Sequence, residues 1–254
     1  MRYPIFLLAL SAFFCRCHPP TEEERPEINF AVKKFRVEST GGCSADTMHC
    51  AYYEVTYPEF AGLDTAVLAK LRRLIAATVS MGNPEADGKT MKQTGDTFIQ
   101  SYQDFKNDIP ESAGGWYYAA EVKVETLVDT LLSLSVQEAY FTGGAHGGHG
   151  TYFINISPKT GAAFTLDTFF KTGYYEPLTK LGEKVFRQVK AIPDTASLDD
   201  NGFEFPDDAF QLNTNYGFKK EGIVFYYNSY EIAPYAAGPT EVMIPYELLV
   251  NWIR

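Results

Sequence analysis

Two histidines three residues apart, His146 and His149, sit within Gly143-Gly144-Ala145-His146-Gly147-Gly148-His149-Gly150. Imidazoles at this spacing chelate a metal if the loop folds back on itself, and glycine permits such folding. A catalytic zinc needs at least a third protein ligand. The remaining histidines are His18 and His49, and no aspartate or glutamate stands at a spacing that singles it out. The run reads better as a hairpin connection, with Gly143 and Gly144 supplying positive φ. It does not cradle phosphate, because no Lys-Ser/Thr pair opening a helix follows.

Nucleophilic chemistry has little support. Neither Gly-x-Ser-x-Gly nor His-Glu-x-x-His occurs. Carboxylate pairs stay possible among 32 acidic residues, whose separations the sequence does not report. Asp199-Asp200 and Asp207-Asp208 read as solvated loop charges. No metal or cofactor is therefore expected. An envelope hydrolase or metal-dependent enzyme using His146, His149 and acidic residues is the alternative to a binding role. Tyrosines cluster at Tyr117-Tyr118, at Tyr174-Tyr175 and around Tyr226-Tyr227, with Tyr230 and Tyr235 beyond. Most should pack inward, and any left exposed would suit a partner or a glycan.

The cysteines carry positional information. An apolar run from Pro4 to Phe14 follows Met1-Arg2-Tyr3, giving a hydrophobic stretch of about 11 residues where a membrane span needs about 20. Residues 1–14 read as a signal peptide, and Cys15 sits where a lipoprotein carries its lipidated cysteine. Residues 15–27 then read as a Pro/Glu-rich tether. The only expected membrane contact is that lipid anchor, at the outer membrane or cell surface. In an oxidising compartment the isolated pair Cys43 and Cys50 defaults to a disulfide. A metal site with His49 is the rival and lacks further ligands nearby.

Composition agrees with a folded, exported chain. Its 254 residues are 45% hydrophobic and 21% charged, the profile of a globular protein. The net charge of −10, with no basic cluster beyond paired lysines or arginines, excludes nucleic acid as a partner.

The elements that must hold these residues follow from periodicity. Alternation predicts strands over 29–38 (with a possible bulge) and 51–57, the second ended by Pro58, joined as a hairpin across the cysteines. Helical spacing predicts helices over 63–79, ending before Gly82, over 90–106, stopped near Pro110, and over 176–190. Strands are expected over 116–125, 127–140, 151–156, 216–219, 223–227 and 242–244. Residues 162–166 should pair back, with Asp167 capping a short turn. Residues 194–208 read as an acidic surface loop and 246–253 as a closing helix. The fold class is α+β, with antiparallel sheets packed on a few helices. Residues 28–127 and 128–254 form two sub-regions of one compact unit.

Two stretches carry a family resemblance. One is Tyr140-Phe141-Thr142-Gly143-Gly144-Ala145-His146-Gly147 with the turn from Gly161 to Phe169. The other is Asn228-Ser229-Tyr230-Glu231-Ile232-Ala233-Pro234-Tyr235-Ala236-Ala237-Gly238, running into Glu241-Val242-Met243-Ile244-Pro245-Tyr246. Both resemble the extracytoplasmic module of RsiV-type anti-sigma factors and PdaC-like proteins, in the domain-of-unknown-function families 3298 and 4163. The paired cysteines and Tyr57-Pro58 resemble the opening of the second family. The resemblance implies an α+β module and, from RsiV-type proteins, lysozyme as a partner, with peptidoglycan or another glycan as the further possibility. It implies neither anti-sigma nor deacetylase activity, since only the module is matched. The candidate binding or turn residues are Gly143, Gly144, His146, His149, Tyr230, Glu231 and Tyr235.

Overall fold

A computed structural model describes residues 27–43, 49–81, 88–109 and 114–254. The expected signal peptide, Cys15 and nearly all of the tether lie outside the described residues, as do Gly82 and Pro110. The described residues form an α+β structure with two sheets. The first sheet has the order β1 (Asn29–Glu38), β2 (Ala51–Ala61), β3 (Trp116–Val128), β4 (Leu131–Phe141), β5 (Gly148–Ile156).

Three of its four pairings are antiparallel, as expected, but β2 and β3 run parallel. Parallel neighbours need a long crossover. Helices α1 (Thr65–Thr78) and α2 (Met91–Asp108) lie within that crossover. Asp64 caps α1 through Ala66 N–H, and Thr90 with Gln93 forms a capping box on α2. Val67, Leu71 and Ile75 of α1 and Phe98, Ile99 and Tyr102 of α2 are buried with Tyr53, Val55, Leu134 and Val136 of the sheet.

Pro58 does not end β2, which continues to Ala61. Pairing with β3 stops at Thr56, so Pro58 lies where β2 is paired only to β1, and a missing N–H is tolerated beside an open edge. Strand β1 pairs residue for residue, without the expected bulge. The irregularity lies instead between Val124 and Thr126 of β3.

The second sheet is antiparallel, in the order β6 (Tyr216–Phe218), β7 (Gly222–Tyr227), β8 (Thr240–Pro245). Before it come a short α3 (Leu166–Phe169), capped by Thr165 rather than Asp167, and α4 (Tyr175–Lys190). Its core holds Leu178 and Phe186 of α4 with Phe218, Phe225, Val242 and Ile244. The acidic segment is not a plain surface loop: Leu198 and Phe205 are buried in this core. Asp208 stabilises the segment by accepting from the N–H groups of Asp199 and Leu198, which hold its carboxyl below the ordinary range. Residues 246–253 form a single 3-10 turn and a bridge from Ile253 to Phe170, not a helix. One core draws mainly on residues 51–156 and the other mainly on 164–249. The position 127/128 lies near the β3–β4 turn.

Strand β5 is the outer strand of the first sheet, and side-chain amides satisfy its edge. Asn228 accepts from Thr151 N–H (2.8 Å) and donates to Thr151 C=O (3.1 Å). Asn215 accepts from Phe153 N–H (3.1 Å) and donates to Thr151 C=O (2.8 Å). Phe164 N–H donates to Asn155 C=O. Asn155 donates to Tyr216 C=O (2.7 Å) and accepts from Ser133, whose oxygen accepts from Phe218 N–H. All of these bonds but the Ser133–Asn155 one, which lies within the first sheet, join that sheet to the C-terminal part of the chain. Asn215→Ala is expected to cost roughly 1–3 kcal/mol in chemical denaturation, since it leaves buried backbone groups unpaired. A loss below about 0.5 kcal/mol would show the seam to be incidental.

Cys43 and Cys50 form a disulfide, with Cα atoms 5.5 Å apart, and it closes the β1–β2 connection. Cys50 C=O then receives Trp116 N–H at the start of β3. Reduction should add the mass of two hydrogens and lower stability by about 2.5 kcal/mol. An unchanged intact mass would exclude the bridge.

Candidate functional site

The β4–β5 hairpin and the turn after β7 bring four of the candidate residues together. Gly143 and Gly144 both adopt φ of +94° and let the chain reverse after Phe141. Strand β5 starts at Gly148, earlier than expected, so His149 is a strand residue opposite Ala139. Gly148 permits this because the Tyr140 ring lies where its Cβ would stand, 2.3 Å from Cζ. His146 remains in the turn, and both histidines are exposed.

Tyr235 arrives from the other side and lies against three rings. Its centroid is 4.7 Å from His146, stacked, 5.6 Å from His149 and 5.4 Å from Tyr230. The Tyr235 hydroxyl stands 3.5 Å from Gly147 C=O and 3.4 Å from His149 Nδ1. Tyr230 is 65% exposed and holds a φ of 72°. A non-glycine residue in that region costs about 1–3 kcal/mol and persists only where its surroundings fix it. Here they do. Asn228 is tied to β5, Glu231 N–H bonds Asn228 C=O, and the Glu231 carboxylate accepts from Asn228 and Asn213. Glu231 therefore supports the turn rather than joining the rings.

Ser229 was not singled out from sequence, and its Oγ lies 3.3 Å from His149 Nε2. Ser229, His149 and Tyr235 thus form a hydroxyl–imidazole–phenol row. A base of this kind could draw the serine proton. Both contacts are at the long end of hydrogen bonding, and a phenol stands where a carboxylate orients the histidine of a catalytic triad. Among the described residues no group of three or more His, Cys, Asp or Glu side chains converges on a metal-sized site. Cys43 and Cys50 are consumed by their bridge and take no part in the platform.

A second cluster also escaped sequence reading. Glu138 of β4 is buried and accepts from the Tyr118 hydroxyl at 2.7 Å. The signal was available: alternation places Glu138 on the same face as Leu132, Leu134 and Val136. Burial pushes its carboxyl up, and bonds from Tyr118 and Tyr152 oppose that shift only in part. Tyr118 is raised as well, first by burial and then by Glu138.

A raised carboxyl favours the folded state when protonated. Stability from this group is therefore full below the ordinary carboxylate range and is lost as pH rises toward the folded pKa. Glu138→Gln should raise the melting temperature near pH 8 by roughly 2–4 °C and make little difference near pH 4. A lower melting temperature at pH 8 would contradict this.

The comparisons with known proteins match this layout. Residues 44–149 match the family model described as Deacetylase PdaC, and residues 167–247 match the one described as Protein of unknown function (DUF3298). The chain is thus similar to the two families named from its sequence, the PdaC-like match preceding the DUF3298 one. A crystal structure of a DUF3298-family member from Bacteroides fragilis aligns with a TM-score of 0.63 at 26% identity, covering 90% of this chain and 93% of that one. A DUF3298-family protein from Pseudomonas aeruginosa shares the fold, with a TM-score of 0.61 at 19% identity, over 89% and 95% of the two chains. No curated protein matches the sequence. Parts of these two kinds are typically extracytoplasmic. No helix among the described residues is long and apolar enough to cross a membrane.

Proposed function

We propose that this protein is a non-enzymatic binding module of the cell envelope, whose contact surface is the His146, His149, Tyr230 and Tyr235 platform. The observation that carries this reading is Tyr230, a large side chain held in solvent by a strained and cross-braced turn. Folding gains little from exposing a tyrosine at that backbone cost, whereas a rigid, amphipathic ring is what interfaces select. Signal residues 1–14 export the chain, and lipidation at Cys15 holds it at the outer membrane or cell surface. The partner is a protein of the lysozyme kind, and a net charge of −10 favours encounter with such a basic protein.

Calorimetric titration with lysozymes and with peptidoglycan fragments tests the reading. Saturable lysozyme binding is expected, weakened at least tenfold by joint Tyr230→Ala and Tyr235→Ala, in keeping with loss of interface anchors. Heat only with peptidoglycan fragments would make the platform a glycan surface. No heat with either would remove both partners.

The Ser229–His149 contact favours one second reading, an envelope hydrolase. Ester turnover abolished by both Ser229→Ala and His149→Ala would establish it. Its metal version requires stoichiometric metal in the purified protein and a lower melting temperature in chelator.

A further inference from the structure

A surface pocket of about 580 Å³ lies in the C-terminal half, between α3, the start of α4 and Arg254. Its polar groups come from Asp167, Thr172, Tyr174 and Arg254, and its apolar wall includes Tyr175. Three features make these groups a prepared set.

Arg254 is fixed from one side. Backbone bonds from Lys171 N–H to Trp252 C=O and from Arg254 N–H to Phe169 C=O pin its segment. The guanidinium Nε then donates to Phe170 C=O (2.7 Å) and Nη2 to Asp167 C=O (3.3 Å). Nη1 is left over, and among the described residues the guanidinium forms no ion pair with an acidic side chain. Asp167 is held in the same way: its Oδ1 accepts from the Tyr174 hydroxyl at 2.9 Å, leaving Oδ2 to accept from elsewhere. The Tyr174 ring itself is buried and stacked on Phe170 at 4.9 Å, so this support is rigid. Tyr175, by contrast, is 57% exposed at the rim.

We infer that this pocket is a binding site for a neutral saccharide unit. Among the lining side chains one cation, Arg254, and one anion, Asp167, are fixed, so an acidic ligand meets Asp167 and a basic one meets Arg254. A pair of neighbouring hydroxyls satisfies both, accepting from the guanidinium while donating to the carboxylate. The exposed Tyr175 ring provides the apolar face on which a sugar ring packs. The pocket volume is in the range of small-ligand sites. This site is separate from the His146–Tyr235 platform and does not depend on the function proposed for it.

The test is titration of the full chain with neutral mono- and disaccharides, their uronic-acid and amino-sugar counterparts, and free amino acids, followed by NMR or calorimetry. Neutral saccharides should bind, and Tyr175→Ala, Asp167→Asn and Arg254→Gln should each weaken them about tenfold. Asp167→Asn keeps the acceptor for Tyr174, so its melting temperature should match the parent. Joint Tyr230→Ala and Tyr235→Ala should leave saccharide binding unchanged. No saccharide binding at tens of millimolar, preference for charged sugars or amino acids, or binding lost with the platform variant but retained in Tyr175→Ala would each overturn the inference.

Discussion

An open strand edge offers unpaired N–H and C=O groups that must be covered, or they pair with another chain. In this protein the edge of β5 is covered from within. Asn228 and Asn215 present amide groups to Thr151 and Phe153 much as a neighbouring backbone would, and Phe164 takes the carbonyl of Asn155. An amide side chain carries both a donor and an acceptor, which is why asparagine can imitate a strand. The two cores meet along this seam. Because its groups lose their water on folding, any vacancy would leave a desolvated backbone group without a partner.

The same seam places the platform. Asn228, which caps Thr151, is also the first residue of the turn carrying Ser229, Tyr230 and Glu231. The bond that closes β5 therefore fixes where Tyr230 and Tyr235 stand relative to His146 and His149. Hairpin and turn are some eighty residues apart in sequence, and each supplies about half of the ring cluster. The Glu138 cluster sits on the opposite face of the same strands and joins β3 to β4 through Tyr118. It raises the demand for correct register, since a one-residue slip would carry a carboxyl and two phenols to the wrong face.

Much of the organisation was legible because it rests on local rules. Alternation located the strands, helical spacing located the longer helices, and the isolated cysteines indicated their bridge. Legibility failed where a distant partner decides. Pro58 stays within a strand because β3 stops short of it. Leu198 and Phe205 are buried although their neighbours are acidic, because Asp208 folds that segment back onto the core. His149 belongs to a strand because Tyr140 packs over Gly148. Among the site residues, His146, His149, Tyr230 and Tyr235 could be named from type and motif. Ser229 and Asn228 stand in the same motif with nothing to mark their roles, and Asn213 stands outside it, since a small polar residue gives no sign of what it will face.

The sequence by itself determined the α+β class, the cysteine pairing, the acidic surface and the identity of the aromatic candidates. These follow from composition, periodicity and short-range spacing, which act over a few residues. Only the tertiary structure decided that β2 and β3 run parallel, that asparagines seal β5, and that two separate segments assemble one platform. Those features depend on which backbone groups remain unpaired after the local elements have formed. Nothing within a ten-residue window records that.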